Sequence, residues 1–177
     1  MIKRLFVSAV ALLAALTGAP AQDIIRPLST PESETYLISK DAAGPVKMGT
    51  HREKADKSLK ELFPLIIEDV NDMGEEYMLR CCTGEDYTTE ALTFYCGEPG
   101  PKEDLIQYYY VSDKRARTGK GLSIQSTYQE LVKAGGKWLP DEGCVALDGL
   151  YFFFSVVGTP DPDSIPTLIG NVKYLTA

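Results

Sequence analysis

Two short stretches of this chain, Tyr108-Tyr109-Tyr110-Val111 and Tyr151-Phe152-Phe153-Phe154, are apolar at every position. A strand with one face in water alternates apolar and polar side chains, because successive residues point to opposite sides of the sheet. These runs do not alternate. Their strands therefore have both faces covered, or show one aromatic face to a partner. Further strand material reads at residues 75–83, 91–97 and 105–112, and again at 143–148, 150–157 and 171–176. Asp148-Gly149, set between two apolar runs, signals a two-residue hairpin turn.

Helix signals precede each group of strands. Thr50 is followed three residues later by Glu53, and Ser126 by Gln129. That spacing is a capping box, in which the hydroxyl accepts the third helical N–H and the Glu or Gln side chain reaches back. Ala55, Leu59, Leu62 and Phe63 then fall on one helical stripe, with Lys54, Lys57, Lys60 and Glu61 on the wet side. Pro64 ends the first helix, and Gly135-Gly136 ends the second after Leu131 and Val132. The two caps are 76 residues apart. The expected architecture is α+β: two similar halves, 45–118 and 119–177, each a short capped helix followed by an antiparallel sheet, after a flexible lead-in at 22–44.

Gly49-Thr50-His51-Arg52-Glu53 and Gln125-Ser126-Thr127-Tyr128-Gln129, each between a short strand and an amphipathic segment, resemble the tandem repeat of the β-lactamase-inhibitor protein and of related small outer-membrane assembly lipoproteins. The chain departs from that pattern where Gln125 replaces a glycine and Lys54 takes an apolar position. The resemblance implies tandem helix-plus-sheet modules and protein binding.

Residues 1–21 read as a signal peptide. Lys3 and Arg4 give a basic start, Leu5 to Leu16 an apolar run, and Ala19-Pro20-Ala21 a small-residue cleavage pattern. The run is short for a bilayer span, so the expectation is export to the periplasm or medium with no stable membrane insertion after processing. Without Lys3 and Arg4, 25 acids face 16 bases, a mature charge of about −9. Such a chain repels nucleic acid and suits a cationic protein partner. Lys114, Arg115, Arg117 and Lys120 form its one basic run, which reads as a solvated loop.

The four cysteines, Cys81, Cys82, Cys96 and Cys144, read in an exported chain as two disulfides with three connectivities open. Hairpin alternation favours Cys81–Cys96 and Cys82–Cys144. With a single histidine and an adjacent cysteine pair, no metal site is expected, and no cofactor motif is present.

Catalytic candidates are sparse. His51 is the sole histidine and reads as a surface residue. Asp69/Asp72, Glu75/Glu76, Asp141/Glu142 and Asp161/Asp163 are acid pairs that a small hydrolase could use. Trp138, the only tryptophan, stands close to Asp141 and Glu142, and these three are the expected binding residues. The sequence thus reads as an exported, disulfide-stabilised protein-binding module, more an inhibitor of a cationic lysozyme-like hydrolase than an enzyme. An acid-pair hydrolase and an envelope-assembly factor are the alternatives.

Overall fold

The computed structural model describes residues 35–70, 76–83, 89–97 and 104–172. The signal peptide, the lead-in before residue 35, Asp72, Glu75 and the strand expected beyond residue 172 lie outside the described residues. The first elements are β1 (Tyr36–Ser39), β2 (Ala42–Ala43), β3 (Val46–Lys47) and α1 (Arg52–Leu59). Four strands follow: β4 (Leu65–Val70), β5 (Tyr77–Thr83), β6 (Thr89–Cys96) and β7 (Ile106–Val111). Then come β8 (Ala116–Thr118), α2 (Tyr128–Lys133), β9 (Lys137–Leu139), β10 (Cys144–Leu147), β11 (Leu150–Phe153) and β12 (Leu168–Gly170).

The α+β expectation is overturned. Strands take 44% and helices 11%, so the fold is mostly β, with two sheets of four and eight strands and two small helices. Four strands after each helix, β4 to β7 and β9 to β12, build the large sheet, but they do not close into separate sheets. They form one ribbon in the order β4-β5-β6-β7-β12-β11-β10-β9, joined where Ile169 and Gly170 pair with Val111 and Tyr110. The small sheet, β3-β2-β1-β8, joins the expected lead-in to the end of the first half, with β8 running parallel to β1. Besides β1 and β2 in the expected lead-in and the three-residue β9 and β12, two further strands went unread for clear reasons. β4 follows directly on Pro64, and β8 lies in the basic run. Among the described residues no helix is long and apolar enough to cross a membrane.

The aromatic runs sit where their pattern demands. Tyr109, Val111 and Phe152 point to the inner face and are fully buried with Leu79, Leu92, Phe94 and Ile169. Against that face pack Ala55, Leu59 and Phe63 of the α1 stripe, Leu131 of α2, and Tyr36, Ile38 and Val46 of the small sheet. Tyr108, Tyr110 and Phe153 point to the outer face with Cys144, Tyr151 and Val172. There Tyr95 stacks on Tyr108 at 4.6 Å, and Tyr110 meets Phe153 at 6.0 Å. The small sheet is tied down by polar bonds too. Tyr109 donates its hydroxyl to the Ser39 carbonyl (2.8 Å), while Asn171 accepts the Tyr109 N–H (2.8 Å) and donates to the Lys40 carbonyl (2.8 Å).

Both helix caps differ from the sequence reading. The α1 N-cap is His51, and no side chain caps it. Strand β7 fixes this start instead: Gly49 and Arg52 donate their N–H groups to the Ile106 and Asp104 carbonyls (2.7 Å each), and Thr50 accepts from Ile106 (2.9 Å). In α2 the capping box is real but one residue on. Thr127 accepts the Glu130 N–H (3.3 Å), and Glu130 accepts the Thr127 N–H (2.8 Å). Ser126 instead accepts the Ser123 N–H (3.0 Å) and is buried. Neither Thr50 nor Ser126 is therefore a cap.

The basic run is not a solvated loop. Arg115 and Asp113 form a buried pair, with Nη2 to Oδ2 at 2.8 Å. The guanidinium also reaches the Leu62 carbonyl (3.3 Å) and lies 5.1 Å from the Phe63 ring centroid.

The unfolding stabilities of three variants test this description. Thr127→Ala should cost about 0.5–2 kcal/mol in urea unfolding through lost capping. Thr50→Ala, with no cap to lose, should stay within about 0.5 kcal/mol of the parent. Asp113→Ala, which strands a buried guanidinium, should cost about 3–5 kcal/mol.

Candidate interaction surface

Three segments far apart in sequence meet at one end of the large sheet. The β9–β10 connection, 140–143, sits beside the long β11–β12 connection, because Phe154 donates its N–H to the Gly143 carbonyl (2.9 Å). The long connection closes on itself where Thr167 donates to the Phe153 carbonyl (2.9 Å). Its far side then meets α2: Tyr128 and Gln129 donate their N–H groups to the carbonyls of Ser164 (2.7 Å) and Pro162 (3.0 Å). Helix N-termini leave four N–H groups without intrahelical partners. The capping box and these two carbonyls satisfy the N–H groups from Thr127 to Glu130, so the loop is fixed to the helix.

Under this junction lies a cluster of three rings. Trp138 stands edge-on to Tyr128 (5.8 Å) and Phe154 (6.0 Å). It belongs to β9 opposite Val145 and packs against the main core. Its position is thus a strand, half-buried, and its ring supports the junction. Asp141 and Glu142 are exposed in the adjoining turn. The long connection carries Val156, Val157 and Ile165, and Val157 is fully exposed at 105%. Asp161 and Asp163 are exposed on the same connection. None of these four acids forms an ion pair among the described residues. The valines escaped the sequence reading because Val156-Val157 extends the apolar run of β11. The signal that separates them is Gly158-Thr159-Pro160-Asp161-Pro162, a breaker-rich stretch.

The catalytic candidates are spread apart or already engaged. His51 Nε2 lies 3.7 Å from Asp104 Oδ2, beyond hydrogen-bond reach. Arg52 holds Asp104 at 3.0 Å and Glu68 at 2.5 Å, leaving that carboxylate committed to an arginine. Asp69 accepts the Val70 N–H (2.8 Å) and the Arg80 guanidinium (3.0 Å), which in that order hold its carboxyl below the usual range. Glu76 accepts the Tyr108 hydroxyl at 3.0 Å. The acids of the Asp141/Glu142 and Asp161/Asp163 pairs are exposed. Among the described residues no group of three or more His, Cys, Asp and Glu is placed to hold a metal ion.

All four cysteines are buried thiols. The favoured pairings do not fit the sheet. Cys81 lies opposite Leu92, four residues before Cys96, an offset of about 13 Å along the strand. Cys82 on β5 and Cys144 on β10 are separated by five strand spacings, on the order of 20 Å. Burial raises every one of these thiols above its ordinary value, with Cys96 and Cys144 pushed up to about 11.

No family model matches the chain, and no curated protein matches it. Among solved structures, it is similar to the uncharacterized protein YfeY from Escherichia coli. That likeness covers 76% of this chain and 97% of that chain, at a TM-score of 0.49 and 12% identity.

Thiol titration checks the cysteine geometry directly. Native protein at pH 8 should react with no thiol reagent, since burial blocks access and suppresses the thiolate. In denaturant without reductant, all four thiols should titrate. Fewer than four would mean that the strands can approach in a way the register forbids.

Proposed function

We propose that this chain is an exported, non-enzymatic protein-binding module that engages a cationic secreted hydrolase of the lysozyme-like kind. The observation that carries the reading is the convergence at one end of the sheet. A fixed connection carries the fully exposed Val157 and the exposed Asp161 and Asp163, and it is bonded through Phe154 to the turn that carries the exposed Asp141 and Glu142. An apolar centre with a charged rim is the usual anatomy of a protein contact. The rim acids form no ion pair among the described residues, so they are available to steer a cationic partner. The loop is bonded at both feet and to α2, and ordering it on binding costs little. Export is supported by the basic, apolar and small-residue start of the chain. Trp138 enters as support for the loop, while Asp141 and Glu142 remain contact residues.

The test is a titration of the processed chain against lysozyme at low and high salt. Binding should weaken as salt screens the long-range attraction. Asp141→Asn/Glu142→Gln should slow association about tenfold at low salt, and Val157→Asp should speed dissociation, with unfolding midpoints unchanged. Equal affinity for parent and both variants would remove this surface from the reading. No binding at any salt would remove the lysozyme-like partner.

A further inference from the structure

The two edges of the large sheet are treated differently by the sequence. An open edge offers unpaired N–H and C=O groups to any strand that approaches, and monomeric proteins blunt such edges with short strands, lysine, proline or bulges. The β9 edge carries these devices: it is three residues long, begins at Lys137 and is followed by Pro140. The β4 edge has Pro64 just before it but no such device within the strand. It pairs with β5 through six consecutive residues, from Leu65 opposite Cys82 to Val70 opposite Tyr77, with no bulge. Leu65 and Val70 are exposed, and Ile66 and Ile67 are half-buried. On its other side β4 meets no strand among the described residues.

Charge does not protect this edge either. Its two acids are neutralised within the chain, Glu68 by Arg52 (2.5 Å) and Asp69 by Arg80 (3.0 Å). Val70 gives its N–H to the Asp69 carboxylate and not to β5, which marks the even-numbered residues as those whose main chain turns outward.

We infer that the β4 edge is an interface at which a second copy of this chain pairs antiparallel, extending the sheet across a two-fold axis through Ile67. In that register Ile66 lies opposite Glu68 of the second copy, twice over, and the outward main-chain groups exchange N–H···O bonds at both places. Ile67 faces its own copy as a non-hydrogen-bonded pair, where side chains approach most closely. No acid faces an acid. Moving the axis to Glu68 would oppose two carboxylates, so charge selects the isoleucine-centred register. A self-complementary edge of this kind closes into a dimer and goes no further. The inference is independent of the proposed hydrolase contact, which uses the opposite edge region.

The processed chain can be tested by sedimentation and light scattering from about 1 µM to about 1 mM. The parent should show a concentration-dependent dimer. Ile67→Lys should be monomeric throughout, with the same far-UV spectrum and unfolding midpoint. A parent that stays monomeric across the range overturns the inference, as does a dimer that survives Ile67→Lys. Should Ile67→Lys fail to fold, Ile67→Cys oxidised with diamide decides. Its cross-axis Cα separation of about 4.5 Å permits a disulfide, and the four native thiols are buried. A covalent dimer supports the pairing, and a monomer after oxidation overturns it.

Discussion

Between β7 and β8 the chain has four residues, 112–115, in which to leave the large sheet and enter the small one. Two of them, Asp113 and Arg115, are charged and buried. Asp113 takes up the backbone N–H of Arg115 (2.9 Å) as well as its guanidinium, so the pair shapes the turn itself. The guanidinium then lies against Phe63 and Tyr36 and meets the Leu62 carbonyl just beyond α1. One side chain thereby touches the α1–β4 connection, the small sheet and the crossover. Burial, and then the nearby Asp113 charge, push the Tyr36 hydroxyl well above the ordinary tyrosine range, so it stays a neutral neighbour of the pair. A buried pair is seldom a net source of stability, because desolvation offsets its attraction. Its effect here is positional: other routes for the crossover would leave the arginine without these partners.

This explains why the two halves could not be read as modules. The strand order makes β7 and β12 neighbours, so the large sheet depends on residues from both sides of the midpoint, while β8 ties the end of the first half to the expected lead-in through β1. Local signals describe local structure well. Asp148 and Gly149 both adopt positive φ, 53° and 77°, as a two-residue hairpin of primed type requires. The aromatic runs carried their own answer, since a strand apolar at every position must serve two faces. Which strands lie side by side is set by long-range pairing, and periodicity holds no record of that.

The caps show the same limit at smaller scale. Ser126-Thr127-Tyr128-Gln129-Glu130 contains two overlapping boxes, and the pattern cannot rank them. The choice follows from the Ser126 hydroxyl being drawn to the Ser123 N–H, which leaves Thr127 to cap. At α1 the competition comes from another strand, where β7 supplies carbonyls and removes any need for a hydroxyl. Of the candidate surface, the acids were legible and the valines were not. An exposed acid is ordinary, whereas an exposed Val157 is informative only once the chain is known to turn there.

Loop and helix at that surface constrain each other. The α2 helix spans six residues, too few to be stable alone, and part of its N-terminal bonding comes from the Pro162 and Ser164 carbonyls. The loop in turn has little secondary structure of its own and takes its course from those bonds and from the Phe153–Thr167 closure. The Trp138, Tyr128 and Phe154 rings fill the space beneath, so the apolar material that fixes the geometry is inside, while Val157 is left outside. A connection tethered in this way holds its tip in place before any contact is made, which is the property that separates a presented side chain from a merely exposed one.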